Sequence, residues 1–399
     1  MAEFFIPVSF AIFASVVMIV LDLVKGLKFR RTNRAGYTSN TGCSVLPDLR
    51  ALNCRVRLTK QKNGSTLSDV FCVEICGSIH APGGMHYAII RISIADIADG
   101  ITRTQPVHSR VKQWQIQDSP VFVYSGELGR LPNQVTTLTD WVSVAQLPVD
   151  WLLFPRQGKR KLQLSTAILS RWNGQELACG TAVFDYENNA FGYIDLQENT
   201  RRAKTLTVAL ALAVSAADNK LPDCELELIK RWARDNIDLS EAGDKAGVPL
   251  ERALSQTVDF LRGGNQIDAY EISKEFVEIA PLAERYDALE LCLLVARADG
   301  TARAEELALL GELAMWLKVD VDRFRHMMEK ILPVGMHECQ DAEVILGVSS
   351  EMGKEQARQH LNKEYRKWNA RVTNFDPHVQ AQADQMLRLI AAARSEYVG

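Results

Sequence analysis

The 399-residue sequence has no surplus of positive charge, because 46 Lys and Arg residues stand against 49 Asp and Glu residues for a net charge of −3. A chain without a basic field has no general electrostatic attraction for DNA or RNA, so nucleic acid is excluded as a main partner. Its eight cysteines are scattered rather than densely paired, and Cys72 and Cys76 have no second Cys or His pair at zinc spacing. We therefore expect reduced thiols and no structural zinc.

Motifs that carry catalysis are also missing. The sequence contains no Gly-rich phosphate loop, no serine elbow and no nucleophile–base pair. His80, His86 and His108 lie in or beside predicted strands without a carboxylate or nucleophile at motif spacing. The sequence therefore predicts a non-catalytic protein, and a metal-dependent hydrolase is the enzyme alternative.

With 47% hydrophobic and 24% charged residues, the composition is that of a globular protein. The length suits two or three domains. The order of patterns along the chain predicts a multidomain α+β architecture in four segments: a membrane anchor with a basic flank (1–35), an antiparallel β-sandwich (36–200), an all-α bundle (201–335) and a small α-helical domain (336–399).

The clearest single pattern is an uncharged run from Phe4 to Leu21. As a helix rising about 1.5 Å per residue, it nearly spans the hydrocarbon core of a bilayer. The positive charges that follow indicate the cytoplasmic side by the positive-inside rule: Lys25, Lys28, Arg30, Arg31 and Arg34. We expect a single-pass anchor with its amino terminus outside and the other domains in the cytoplasm. The alternative is a buried amino-terminal helix of a soluble protein.

Between about residues 36 and 197, short alternating or β-branched runs are separated by turn-forming residues, which favours an antiparallel sandwich or barrel. The predicted strands are 54–59, 70–76, 86–94, 111–116, 120–126, 161–169 and 177–186. Arg156, Lys159 and Arg160 follow an aromatic stretch and form a predicted basic loop that can face anionic lipid. A solvated hairpin is the other interpretation of that loop.

The helical region contains an internal repeat, with LALAVSAADNKLPDCELELIKRWA (210–233) resembling LCLLVARADGTARAEELALLGELA (291–314). Asp218 and Glu225 in the first copy occupy the same register as Asp299 and Glu306 in the second. One interpretation is helix capping in a duplicated hairpin, with Asn219 and Gly300 at left-handed helix stops. The other is a shared divalent-cation site, since carboxylate oxygens suit Ca²⁺, Mg²⁺ or Mn²⁺.

The second copy of the repeat has the pattern Ala-Asp-Gly followed by Glu, and the first copy has Asn in place of Gly. This pattern, with about 80 residues between its two copies, resembles the TerB tellurite-resistance domain over roughly Arg201 to Leu332. The resemblance implies a helical bundle with acidic metal-binding positions on its repeated hairpins. It makes Asp218, Glu225, Asp299 and Glu306 the candidate metal ligands, with a divalent cation as cofactor. Asp223 and Glu305 are neighbouring carboxylates that can replace them.

The carboxy-terminal region, with its Val-Ile-Leu-Gly-Val start, basic helix and final amphipathic helix, is similar to a J domain. Periodicity alone predicts a helical hairpin in which Leu361, Tyr365 and Trp368 face four residues of the last helix: Met386, Leu389, Ile390 and Ala393. The loop ARVTNFD (370–376) lacks the His-Pro-Asp tripeptide of J domains. Asp376-Pro377 is explained as a helix start. A basic face suits an acidic partner or is a solvated helix face: Lys363, Arg366, Lys367 and Arg371.

Anchor, TerB-like domain and J-like end resemble the plan of DjlA-type membrane co-chaperones, with a sandwich inserted. This plan implies a bacterial inner-membrane address. We expect a membrane-tethered cytoplasmic sensor or adaptor of a stress or phage-defence system, in which the J-like end docks other proteins of that system. An oligomer is compatible with this expectation. The alternative is a co-chaperone of a DnaK-type chaperone.

Overall fold

The computed structural model describes residues 52–63, 66–81, 86–100, 104–131, 135–237, 247–338, 342–349 and 351–399. The chain divides into a β-rich unit that ends at Glu198 and a helical unit that begins at Asn199, which confirms the predicted α+β class. The predicted anchor at Phe4–Leu21 lies outside the described residues. Within the described part, no helix is long and apolar enough to cross a bilayer.

The β-rich unit contains eleven strands in the described ranges: β1 (Leu52–Asn63), β2 (Thr66–His80), β3 (His86–Asp96), β4 (Gln105–Pro106), β5 (His108–Ser109), β6 (Gln115–Ile116), β7 (Ser119–Leu131), β8 (Val135–Pro148), β9 (Leu152–Leu153), β10 (Gly158–Ser170) and β11 (Glu176–Asn188). A smaller sheet has the order β1-β2-β8, and a larger one runs β11-β10-β3-β7-β5-β9 with β4 and β6 on its side. Every pairing between these eleven strands is antiparallel, and the register places Leu164 opposite Ile94 in the larger sheet.

Residues of both sheets share one core, as a sandwich requires. Phe71 and Val73 of β2 are buried with Ile92 of β3 and Leu164 of β10. Ile92 and Leu164 alternate with exposed or half-buried neighbours, because successive residues of a strand point to opposite faces. In β2 the residues from Val70 to Ile75 are all buried. Phe71 also contacts Phe184 edge-on, with ring centroids 5.2 Å apart.

Two predictions for this unit differ from the structure. The predicted strand at 111–116 is a short 3-10 turn (Lys112–Trp114) followed by the two-residue β6. Trp114 lies in a cluster of aromatic rings, where it contacts Phe122, Tyr124 and Trp151. The fourteen-residue β8 had no predicted counterpart. Most of its residues are exposed, so its sequence lacks the apolar alternation by which a half-buried strand is recognised.

The described residues form ten α-helices, of which the first begins just before the boundary at Asn199: α1 (Tyr193–Ser215), α2 (Asp223–Asn236), α3 (Gly247–Arg262), α4 (Ala269–Ile279), α5 (Leu282–Arg297), α6 (Ala304–Trp316), α7 (Val321–Ile331), α8 (Ala342–Leu346), α9 (Lys354–Asn369) and α10 (Pro377–Tyr397). One hydrophobic core joins α1 to α7. The two helices that precede the repeated turns, α1 and α5, are its most buried members, and Leu210 and Leu291 are buried at equivalent positions of the repeat.

The last three helices build a second core in which Leu361 and Trp368 of α9 pack with Met386 and Ile390 of α10. This confirms the predicted helical hairpin except at Tyr365. The ring of Tyr365 is half-exposed and lies under the Arg394 guanidinium, 4.8 Å from it, because its position on α9 faces the edge of the interface. The α10 helix begins at Pro377, and the Asp376 side chain accepts the His378 N–H at 2.9 Å, as the N-cap interpretation predicts.

Candidate functional site

The two repeated turns of the helical unit have the same local geometry. Asp218 Oδ1 accepts the N–H of Lys220 at 2.8 Å, and Asp299 Oδ1 accepts that of Thr301 at 2.9 Å. The residue after each aspartate is left-handed, with φ of 61° at Asn219 and 91° at Gly300, as predicted for the two helix stops. Each aspartate thus uses one oxygen to hold its turn and leaves Oδ2 for other contacts.

The two glutamates differ in their hydrogen bonds. Glu306 accepts the backbone N–H of Arg303 at 2.8 Å, which is the capping interaction expected at the start of α6. Pro222 occupies the position that corresponds to Arg303 at the start of α2 and has no N–H to donate. Glu225 therefore has no capping bond, and its Oε2 is a buried atom without a hydrogen-bond partner among the described residues. Capping accounts for Glu306 but leaves Glu225 unexplained.

Both glutamates are almost completely buried, with 1% of Glu225 and 3% of Glu306 exposed. Burial raises the pKa of Glu225 to about 7, and the charges of Asp299 and Asp218 act in the same direction. Burial likewise raises the pKa of Glu306 to about 8, with Glu225 and the two aspartates adding to the effect. The four predicted ligands therefore lie close enough to influence one another, although about 80 residues separate the two turns in sequence.

A cation of the chain itself lies beside this carboxylate cluster, which we define as Asp218, Glu225, Asp299 and Glu306. The Arg303 Nε is 4.0 Å from Asp218 Oδ2, and its Nη2 is 3.9 Å from Asp299 Oδ2. Within the described ranges, no three acidic, His or Cys side chains meet closely enough to form a ready-made metal site. The donor set suits a hard cation, but its oxygens must move together to hold one.

The two alternative ligands of the sequence prediction lie outside the cluster. Asp223, in the first turn of α2, is almost fully exposed and faces Arg262 at 3.7 Å. Glu305, in the first turn of α6, is exposed next to the buried Glu306. Neither side chain is among the groups that shift the pKa of Glu225 or Glu306, in contrast to Asp218 and Asp299.

The four basic residues predicted to bind a partner fall into two pairs. Lys363 and Arg366 are exposed on α9. Lys367 forms an ion pair with Glu329, the antepenultimate residue of α7, and Arg371 lies 3.7 Å from the same carboxylate. Half of the predicted surface is thus turned toward the bundle of α1 to α7.

The three residues predicted to face lipid do not form one exposed loop. Arg156 donates to Glu198 at 2.7 and 2.8 Å and to Asp195 at 3.0 Å. Arg160 lies within β10, is 9% exposed and donates to the buried Asp96 at 2.6 Å. Lys159 alone of the three is exposed. The prediction is corrected for Arg160, because strand alternation turns alternate side chains of β10 into the core.

The fold and the site define a helical bundle with a duplicated acidic turn. Residues 204–329 match the family model described as Tellurite resistance protein TerB, which confirms the predicted TerB domain and indicates a tellurite-resistance-related function for it. Neither a curated protein nor a solved structure matches the chain at a significant level. The TerB match ends before α8, so the J-like resemblance stays a prediction.

Sequence reasoning missed three residues that shape this site: Ser215, Pro222 and Arg303. The Ser215 hydroxyl is fully buried close to Glu225 and opposes the rise in its pKa. Pro222 and Arg303 were detectable, because aligning the two repeats on their aspartates places one opposite the other. An N-cap proline has no N–H to donate, so the glutamate three residues after it cannot make the capping hydrogen bond that an N-cap arginine allows.

Proposed function

We propose that the TerB domain binds a divalent cation through Asp218, Glu225, Asp299 and Glu306, and that the chain acts as a non-enzymatic adaptor in a tellurite-resistance-related stress response. The observation that carries this proposal is the buried Glu225 carboxyl, whose Oε2 has no partner among the described residues. Leaving a buried polar atom unpaired costs about 1 to 3 kcal/mol, so we expect such an atom to have a binding partner when the protein functions. A bound cation is a suitable partner for the Oε2 of Glu225.

The electrostatics of the cluster also favour a cation ligand. Four carboxyl groups have two basic neighbours, the Arg303 guanidinium and the exposed Lys220 ammonium, which lies 3.8 Å from Asp218 Oδ2. The charges of the two aspartates raise the pKa of both glutamates. A divalent cation reverses this effect by stabilising the ionised forms. Carboxylate oxygens suit Ca²⁺, Mg²⁺ and Mn²⁺, whereas Zn²⁺ prefers nitrogen and sulfur ligands.

Isothermal titration of Ca²⁺, Mg²⁺ and Mn²⁺ into the full chain tests cation binding. Glu225→Gln preserves the shape of the side chain and removes its charge, so we expect it to weaken binding at least about tenfold. Glu227→Gln is the matched control, because Glu227 lies on the same helix, is exposed and pairs with Lys230 at 2.9 Å. The absence of heat and of a change in melting temperature with all three cations overturns the proposal.

Lys363 and Arg366 support a docking role for the C-terminal helices. Their exposed positive charges suit an acidic protein surface, and the helices that carry them have their own core. Reversing both charges with Lys363→Glu and Arg366→Glu should lower the survival of tellurite-treated cells without altering cation binding or melting temperature. Unchanged survival contradicts the docking role.

We also propose that an N-terminal anchor holds the chain at the bacterial inner membrane, with the TerB domain and the C-terminal helices on the cytoplasmic side. The uncharged run Phe4–Leu21 and the basic residues after it support this part. Fractionation of cells that express the full chain or a chain lacking residues 1–35 tests it. Equal recovery of both chains in the soluble fraction contradicts the anchor.

A further inference from the structure

Arg303 contacts three acidic residues that come from three separate segments of the helical unit. Its Nε faces Asp218, its Nη2 faces Asp299, and its Nη1 lies 3.7 Å from Oε1 of Glu338, a residue outside the carboxylate cluster. All three distances are ion-pair distances longer than a hydrogen bond. The guanidinium is therefore shared between the cluster and Glu338 without being fixed to either.

The backbone next to Arg303 is bonded to the segment that carries Glu338. The N–H of Ala302 donates to the Met336 carbonyl at 2.7 Å, and the N–H of Glu338 donates to the Ala302 carbonyl at 2.9 Å. Ala302 is completely buried and forms a parallel bridge with His337. The loop that presents Asp299 and the segment 334–338 thus form one hydrogen-bonded unit.

The segment 334–338 connects the TerB domain to the C-terminal helices. Met336 packs against the core of the TerB bundle, and Val334 belongs to the core of α8 to α10. A change in the position of this segment therefore reaches both cores. Among the described residues, Arg303 is the side chain that makes ion pairs both with the cluster and with this segment.

We infer that Arg303 is the internal counter-ion of the carboxylate cluster, that a divalent cation displaces it toward Glu338, and that cluster occupancy is thereby transmitted to the segment leading into the C-terminal helices. This inference rests on the proposed cation site. A cation bound to the Oδ2 atoms of Asp218 and Asp299 takes the two acceptors that hold the guanidinium on the cluster side. Repulsion between the two positive charges then leaves Glu338 as the favourable partner.

Titration of the full chain with Ca²⁺, Mg²⁺ or Mn²⁺ alone tests the counter-ion role. Arg303→Gln removes the competing charge, so the cation should bind about tenfold more tightly, whereas Arg303→Lys, which keeps the charge, should stay close to wild type. Arg297→Gln is the matched control, because Arg297 is an exposed residue at the end of α5 and should change the affinity less than twofold. An Arg303→Gln affinity equal to or weaker than wild type overturns the inference.

Hydrogen exchange over residues 334–338, with and without the cation, tests the transmission. Addition of the cation should slow exchange at the Glu338 amide in the wild type, and this change should be lost in both Arg303→Gln and Glu338→Gln. Cation binding without a change in exchange overturns the inference and leaves the proposed site intact. Failure of the wild type and of Arg303→Gln to bind any of the cations overturns both.

Discussion

Glu225 lies three residues after Pro222, which has no N–H, and it therefore lacks the capping hydrogen bond available to a glutamate at this position of a helix. Its counterpart Glu306 makes that bond to the Arg303 backbone. The two halves of the repeated hairpin therefore differ in the hydrogen bonding of their glutamates. One glutamate stabilises a helix start, and the other holds an unbonded carboxyl oxygen inside the domain.

Replacing Glu225 by Gln should stabilise the cation-free domain at alkaline pH. Because the folded-state pKa of Glu225 is raised to about 7, the unfolded chain loses its proton first and stability falls as the pH rises from about 4.5. Glu225→Gln removes this loss, so the free energy of unfolding at pH 8 with EDTA should rise by about 1 to 3 kcal/mol, while that at pH 4 stays nearly equal. Urea unfolding at the two pH values measures both, and a variant less stable at pH 8 contradicts the prediction.

The wild-type domain should show a related pH profile. Glu225 and Glu306 both contribute stability that is complete below pH 4.5 and declines until their folded-state pKa values of about 7 and about 8 are passed. The slope for each group is at most about 1.4 kcal/mol per pH unit. A saturating divalent cation should flatten this decline, because it stabilises both ionised carboxylates. Parallel profiles with and without the cation would count against the site.

Cation binding should release protons near neutral pH. A glutamate with a pKa of about 7 or 8 is largely protonated at pH 6.5 and must ionise before it can coordinate a cation. Titration at pH 6.5 in two buffers of different ionisation enthalpy measures the number of protons released. We expect one to two protons for the wild type and about one fewer for Glu225→Gln. An identical heat in both buffers would show that the glutamates do not take part.

Removing the charge of Glu329 should loosen the C-terminal helices from the TerB bundle. Its carboxylate pairs with Lys367 and Arg371, and its backbone carbonyl accepts the Gln382 side-chain amide at 2.8 Å. Because Glu329 is largely buried, Glu329→Gln should cost about 1 to 3 kcal/mol and speed amide exchange in α9. Glu355→Gln, which breaks an exposed pair with Arg358, is the control and should cost less than about 0.5 kcal/mol.

The ion pair of Arg160 and Asp96 is predicted to stabilise the β-rich unit and not to bind lipid. Asp96→Asn leaves the buried guanidinium without its counter-charge, which should cost about 3 to 5 kcal/mol in thermal or urea unfolding. Lys159→Ala, on the neighbouring exposed position, should be within about 0.5 kcal/mol of wild type. Binding of each variant to liposomes that contain anionic lipid then separates stability from lipid binding. Of the two variants, we expect that Lys159→Ala alone can reduce lipid binding while the chain stays folded.

Sequence alone determined the order of the chain's structural classes, the TerB domain and the pairs of acidic residues that face one another across its two turns. These features are local, because each is recognised from residues a few positions apart in sequence. This holds for strand alternation, helical periodicity, the left-handed helix stops and the Asp-to-Glu spacing within each repeat. The same locality explains the failures at residues 111–116 and 135–148. Trp114 packs against Trp151, which is far from it in sequence, and the exposed β8 has no periodic pattern to recognise.

The tertiary structure determined which of the predicted site residues are exposed and which are buried in ion pairs with other residues of the chain. Folding buried Arg160 against Asp96, turned Lys367 and Arg371 toward Glu329, and placed Arg303 between the carboxylate cluster and Glu338. It also left the Oε2 of Glu225 unpaired and raised its pKa by burial. Burial and long-range charge pairing depend on segments brought together from different parts of the chain, so neither spacing nor composition can specify them.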